Sequence, residues 1–503
     1  MAINTRSPHY VSINTISYSA LLNITIWTGQ ESSPPSVNDY QLKKIRLGSS
    51  SSVTFEISEL IRDFIEITFD GNYTGQAVWV KTVITGNSLA GGVINGPFTE
   101  TNLALDSYSY FQEPTFNVSD SPIMISNRTI FALGNNLFRI PVYSAFEPII
   151  TFYKDNKVVV TQTVSKSDDS TEQIKYISAY GWTTDYDTYA ERVVEDGGIY
   201  EGSLCLNNFF DSTNVGVIDR VNVVGNRIGS EIIENGDFAT DTEWTKLGSA
   251  TISGGSANII GTSGEVSGIR QSLVFEEGKD YVVTLDIVVN SGVGVKIQDD
   301  VTDSSVGTAI TTGSYSFNYT AGTGTGLNIR SRSSGTFNCT VSNVSVKEKS
   351  ESYDNIIIKT IDECKYDPKK ITFVNKFGAL QDMYFFKKRT EKMTVKKESY
   401  KANIISPNGT YSTSSHVNRD FNVLGQESIS LSSGFLNESY NEVFKQMLLS
   451  EKVWITNVNN GVEQVLPINV KTSDITYKTS LNDKLVEYTI EFDNSYDTIN
   501  NIR

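Results

Sequence analysis

The strongest constraint on this chain is a period of two. Tyr281, Val283, Leu285 and Ile287 fall on alternate positions of one short run, and Tyr315, Phe317 and Tyr319 on alternate positions of another. Successive side chains of an extended strand point to opposite faces, so each run buries one face and leaves the other wet. The same alternation marks Leu22, Ile24 and Ile26 near the start of the chain and Val486, Tyr488, Ile490 and Phe492 near its end. Gly, Asn, Asp and Ser fill the intervals, and 25 Tyr and 24 Phe stand against 11 Pro and 5 Met. The expected fold class is mainly β, as multidomain β-sandwiches with a few short helices.

At 503 residues the chain is long enough for three or four folding units. Four segments separate on pattern. Residues 1–165 read as an N-terminal β-sandwich region, where Ser58 is placed to cap a short helix with Leu60, Ile61, Phe64 and Ile65 on one face. Residues 166–230 read as a helical connector. There "TDYDTYAERVVEDGG" offers an Asp185 or Asp187 cap, a stripe of Tyr189, Val193 and Val194 and a Gly197-Gly198 stop, and "EGSLCLNNFF" follows as a second short helix. Residues 231–349 carry closely spaced strand signals and no helix signal, which is the size and style of a jelly-roll module. It opens on "NGDFATDTEWT", residues 235–245. Residues 350–503 read as a C-terminal β-sandwich plus helix, with a hairpin around residues 376–378. The helix has Asn437 as its cap and Tyr440, Val443, Phe444, Met447 and Leu448 as one apolar stripe. It is expected to pack on the C-terminal sandwich or to serve as an assembly helix against a neighbouring subunit.

Charge narrows the partners. With 42 basic and 58 acidic residues the formal charge is −16, so the chain as a whole has no attraction for nucleic acid. The segment 359–401 is the exception, locally basic in "KYDPKK" and "FFKKRTEKMTVKK". It is either a solvated strand-and-loop surface or a site that pairs with an acidic neighbouring subunit. No apolar run reaches the length of a membrane span, so no membrane insertion is expected. The N-terminus lacks the pattern of a secretory signal, and synthesis in the cytoplasm is expected. Cys205, Cys339 and Cys364 are too few and too scattered for a disulfide framework or a thiolate zinc site, and reduced thiols are expected.

Catalytic chemistry finds little to work with. His9 and His416 are the only histidines, and no G-x-S-x-G, P-loop, G-x-G-x-x-G after a strand, or H-E-x-x-H accompanies them. "GTSGEVSG" and "TAGTGTGLN" sit between strands and read as turns. Asp299, Asp300 and Asp303 form either an oxygen-ligand calcium loop or a solvated one. Cys205 reads as a packed thiol. The expectation is a protein without enzymatic activity or cofactor.

Residues 235–348 resemble carbohydrate-binding modules of the galactose-binding, jelly-roll type through "ENGDF…W", "SLVFEEGKDYVVTLDI" and "NCTVSNVSVKE". The resemblance implies sugar held by aromatic and polar groups on a sheet face or at loop tips. Tyr281, Tyr315 and Tyr319 are then the candidates for stacking on a sugar, with core packing as their other role, and Trp244 is placed in the core. "YAERVVEDGGIYEGSLCLNNFF" is similar to a segment of tailed-bacteriophage structural proteins, written loosely R-V-x-x-D-G-G-x-x-E-x-x-x-C. "FGALQDMYFFKK", "GFLNESYNEVFKQMLLSEKVWI" and "YKTSLNDKLVEYTIEFD" also resemble phage virion proteins, of the tail-tube-like kind found in distal-tail and baseplate proteins. These resemblances imply a virion structural protein of the tail or baseplate, forming an oligomeric ring with copies of itself and other virion proteins, and displaying a module for host-surface glycan. The other readings are a capsid-attached decoration or head-fibre protein, and a carbohydrate-active enzyme with an accessory binding module.

Overall fold

The computed structural model describes the chain apart from residues 1, 15–17, 47–51, 134–136, 155, 165–173, 181–199, 202–218, 262–265, 273–274, 293, 301–303, 324–325, 333–335, 362–364, 460–461, 477–484 and 500–503. Two compact units divide it: a body of Met1–Val224 with Tyr353–Arg503, and a module of Gly225–Ser352. Both are built from β-sheets, as the period of two requires.

In the body, the N-terminal strands form a five-stranded sheet in the order Ile3–Asn4, Val93–Leu105, Ala77–Asn87, Ser19–Trp27, Tyr40–Ile45. A two-stranded ladder, Tyr10–Asn14 with Ser52–Glu56, supplies the other layer, and Leu22, Ile24, Val53, Phe55, Ile61 and Val80 meet in the shared core. The helix Ser58–Arg62 buries Ile61 as its stripe requires. Its cap differs from expectation. Ile57 is the capping residue, and the Ser58 hydroxyl bonds instead to the carboxylate of Glu56, two residues back at the end of the preceding strand.

The C-terminal segment makes a seven-stranded sheet, ordered Leu380–Phe385, Lys369–Val374, Val453–Asn459, Val462–Val470, Thr489–Asn494, Asn418–Ser432, Arg389–Lys401. The turn between its first two strands is pinned by the buried Asn375, whose Oδ1 accepts from the amides of Phe377 at 2.9 Å and Ala379 at 3.1 Å. The helix Tyr440–Leu448 lays its stripe on this sheet. Phe444 is fully buried, with Tyr488 at 4.6 Å and Phe385 at 6.3 Å between ring centroids, and Tyr440, Val443 and Met447 are buried beside it. Leu448 is half-buried at the rim of the same core. The assembly role considered for this helix is thereby corrected: its apolar stripe is buried inside its own chain, in the core that this sheet lines. Asn437 is not the cap either; Ser439 holds that position, and Asn437 Oδ1 accepts from the Ser439 amide at 3.0 Å.

The N- and C-terminal segments also share a core, where the sequence suggests two separate sandwiches. Trp27, Trp79 and Leu105 pack in one cluster with Val374, Phe377, Leu380 and Trp454. Tyr73 seals the contact by donating to the carboxylate of Asp382 at 2.6 and 2.7 Å, and Thr372 donates to the same group at 2.7 Å. Of the expected connector, the helix over 184–198, residues 202–210 of the second helix and Cys205 lie outside the described residues, and Glu201 belongs to a short strand, Tyr200–Glu201. The described parts, Ile174–Tyr180 and Arg220–Glu231 among them, are strands.

The module is an antiparallel sandwich of two layers of five strands each; the strands of the first layer are part of a larger sheet, and the second layer is a five-stranded sheet by itself. One runs Thr251–Ser253, Ser256–Gly261, Phe337–Ile361, Asp280–Ser291, Gly313–Thr320, and the other Thr245–Leu247, Gly268–Gln271, Leu327–Ser331, Val295–Asp299, Ser305–Ala309. Val283, Leu285, Ile287, Ile259 and Val341 of the first sheet meet Ile269, Ile297 and Ile329 of the second in a core of the module's own. Cys339 is a buried free thiol in that core, while Cys205 and Cys364 lie outside the described residues.

Candidate functional site

The opening "NGDF" is a structural bracket. Asn235 and Phe238 adopt left-handed φ of 50° and 54°, a conformation Asn tolerates better than most residues. A Cβ on Gly236 would stand 2.0 Å from the carbonyl oxygen of Val344, so only glycine admits that strand. The Asn235 amide donates to the carbonyls of Thr240 at 2.7 Å and Thr242 at 3.0 Å. Trp244 is buried, donates from Nε1 to the Asn235 carbonyl at 3.0 Å, and packs 5.3 Å from Phe238.

The tyrosines proposed to stack on sugar face the wrong way. Tyr281 is 1% exposed, lies 5.0 Å from Phe275, and its hydroxyl accepts the Glu276 amide at 2.8 Å. Tyr319 is buried, and its hydroxyl donates to the Asp299 carboxylate at 3.2 Å; burial pushes that hydroxyl's pKa up. Tyr315 is half-buried and stacked on Phe317 at 5.9 Å, its hydroxyl tied to Thr311. All three belong to the core side of their strands. The alternation is there, but it marks the inner face, where Tyr281 and Tyr319 lie in the module's core and Tyr315 packs against it.

The groups the sequence reading passed over lie on the opposite face of the second sheet. Ile269, Ile329 and Ile297 are cross-strand partners in the core, so their neighbours point outward. One outward row runs Thr245, Arg270, Asn328, Gln298, Ser305, and the next runs Leu247, Gly268, Arg330, Lys296, Thr308. The two rows hold three cations and two amides and no carboxylate, in a chain of net charge −16. Arg330 Nε donates to Gln298 Oε1 at 2.6 Å, which fixes that amide across the strands. Asn328 is 7% exposed, and its Oδ1 is buried with no hydrogen-bond partner. A buried acceptor left unpaired costs roughly 1–3 kcal/mol, so a fold keeps one only where something offsets that cost. The signal was present as "GIRQ", "VKIQ" and "LNIR", three strands that each place a cation or an amide between core residues.

The loop that begins at Asp299 offers less. Asp299 is fully buried on Tyr319, Asp303 lies outside the described residues, and among the described residues no three His, Cys, Asp or Glu side chains gather within metal-binding reach. His9 and His416 belong to the body.

No protein-family model matches the sequence, and no curated protein does. Among solved structures the chain is similar to a carbohydrate-binding module described as "CBM4 structure and function". The two are 16% identical over 23% of this chain and 99% of that one, with a TM-score of 0.19.

Proposed function

We propose that this chain is a structural component of a bacteriophage virion, of the tail or baseplate, that assembles with other virion proteins and breaks no covalent bond. Its module binds a glycan of the host surface on the outward face of the second sheet. The observation that carries the glycan reading is the set of three cations on this face, Arg270, Arg330 and Lys296, with no carboxylate in their rows and with Arg270 exposed; the unpaired Asn328 carbonyl is buried beside Arg270 in the same row. Sugar hydroxyls both donate and accept, and a sugar carboxylate or phosphate accepts, so such a ligand suits the exposed Arg270 guanidinium. The absence of an aromatic ring on these two rows makes the grip polar, and the surplus of cations favours glycans that carry carboxylate or phosphate. The virion reading is supported by the resemblance of the C-terminal segment to phage tail proteins.

A glycan array probed with the full chain tests the first part, followed by calorimetric titration of variants against the best ligand. Arg270→Ala removes charge-assisted bonds worth about 1.5–3 kcal/mol, a roughly 10- to 150-fold loss of affinity. Asn328→Ala removes about 0.5–1.5 kcal/mol, roughly 2- to 12-fold. An array without binding, or an Arg270→Ala chain that binds as the parent does, overturns the glycan reading. Antibodies against the chain should decorate the tails of phage particles in electron micrographs, and their failure to bind any particle overturns the virion reading.

A further inference from the structure

The strands Arg389–Lys401 and Asn418–Ser432 pair from Arg389↔Leu431 out to Lys401↔Asn418, and the ribbon they form leaves the body's core behind. Beyond Glu391 and before Leu424 almost every residue is exposed. Met393, Val395, Tyr400, Ile405, Tyr411, Phe421 and Val423 are each more than 40% exposed, and they are seven of the 28 large apolar side chains exposed among the described residues. Apolar side chains scattered singly need no explanation, but this density on one ribbon marks an interaction surface. Arg389–Lys401 is also an edge strand, the last of its sheet, so one row of its backbone amides and carbonyls pairs with no strand among the described residues.

Charge selects the occupant. Residues 389–423 hold six basic side chains against three acidic ones, a net +3, which leaves −19 on the remainder of the chain. Lys397 pairs with Asp420 at 2.7 Å, whereas Lys392, Lys396 and Lys401 make no ion pair among the described residues. Edge-to-edge pairing of two such strands would set like charges side by side. A cationic ribbon on an otherwise acidic chain is instead complementary to the body of another copy. We infer that this ribbon is an assembly arm that docks on the acidic body of a second copy of the same chain. The inference rests on the assembly half of the proposed function and is independent of its glycan half.

Analytical ultracentrifugation of the full chain tests it, with three proteins compared at low and high salt. The parent chain should sediment as an oligomer, and a chain with residues 396–424 replaced by Asn-Gly, a two-residue hairpin turn, as a monomer. Because that replacement could disturb folding, K396E/K401E serves as a second variant that leaves the ribbon intact. It should raise the dissociation constant roughly tenfold at low salt, with the difference shrinking as salt screens the charges. A parent chain that is monomeric at micromolar concentration overturns the inference, as does a K396E/K401E chain that associates as tightly as the parent. A monomeric parent whose ribbon binds a DNA 20-mer or anionic vesicles also overturns it. Glycan titration of the same three proteins should give one affinity, so failure of the arm and failure of the glycan face read out separately.

Discussion

Asn328→Leu separates ligand binding from fold maintenance on the module's polar face. In the folded chain Asn328 Oδ1 is buried without a partner, and no hydrogen bond from its Nδ2 joins it to the described residues. The side chain therefore costs the module free energy while no ligand is bound. Leucine has the same branched heavy-atom skeleton, removes the unpaired carbonyl, and suits a strand better than asparagine does. We expect the module to gain about 1 kcal/mol, at the low end of the roughly 1–3 kcal/mol penalty for an unsatisfied buried polar group. For a module of this size that corresponds to a rise of about 3–5 °C in melting temperature. The same change should weaken glycan binding several-fold, so stability and affinity should move in opposite directions. Differential scanning calorimetry resolves the module's transition, and hydrogen exchange of peptides spanning residues 280–300 and 325–345 assigns it. A lower melting temperature for Asn328→Leu would refute the reasoning, because it would mean that the amide holds the fold and that its carbonyl is satisfied.

Other expectations follow from the packing. Phe444→Ala should cost the body about 3–5 kcal/mol in urea denaturation, since its fully buried ring sits against Phe385 and Tyr488, and glycan affinity should not change. Burial lowers the His9 pKa below its ordinary 6.5, outweighing the carboxylates of Glu100 and Glu56. The unfolded chain then binds the proton more readily, so stability is complete above about pH 6.5 and falls as pH drops through that value; His9→Gln should flatten that slope in urea midpoints. Gly236→Ala should destabilise the module by about 1–3 kcal/mol, seen as a lower melting temperature, because the new Cβ meets backbone rather than a movable side chain. Replacing residues 225–352 by Asn-Gly should leave the body folded by circular dichroism and remove glycan binding, and a body that cannot fold would show that the module is needed for it.

Local physics made much of the fold legible. The strands near 281–287 and 315–319 announced themselves because one face had to be apolar, and the helix at 440–448 because five apolar residues fell on one stripe. The joining of the first and last segments in one unit was not legible. Trp27 and Trp454 share a core across more than four hundred residues of sequence, and no local pattern encodes such a pairing. The tyrosines illustrate a second limit. Alternation says which residues share a face, but an aromatic ring suits a sugar and a core equally, and burial of Tyr281 depended on Phe275 and the facing sheet. The polar rows went unread for the converse reason: outward polar residues on a strand are the ordinary expectation, and only the register shows that Arg270, Asn328 and Gln298 stand side by side.

The division of the chain has a physical logic that bears on function. In the body, the Ile358 amide donates to the Asp219 carbonyl at 2.9 Å and Asn222 donates to Asn355 at 3.0 Å, so the strands leading to Val224 and from Tyr353 run antiparallel and side by side. A hairpin of that kind can be closed by a two-residue turn or by an entire sandwich, because the register of the stem fixes the ends in either case. The core clusters agree: the one that contains Trp244 and Tyr281 draws on residues 233–346 alone, and the others draw only on the body. A module with its own core can carry an energetic fault such as the Asn328 carbonyl without weakening the cores of the body. The proposed recognition face and the proposed assembly arm thus belong to separate cores of one chain.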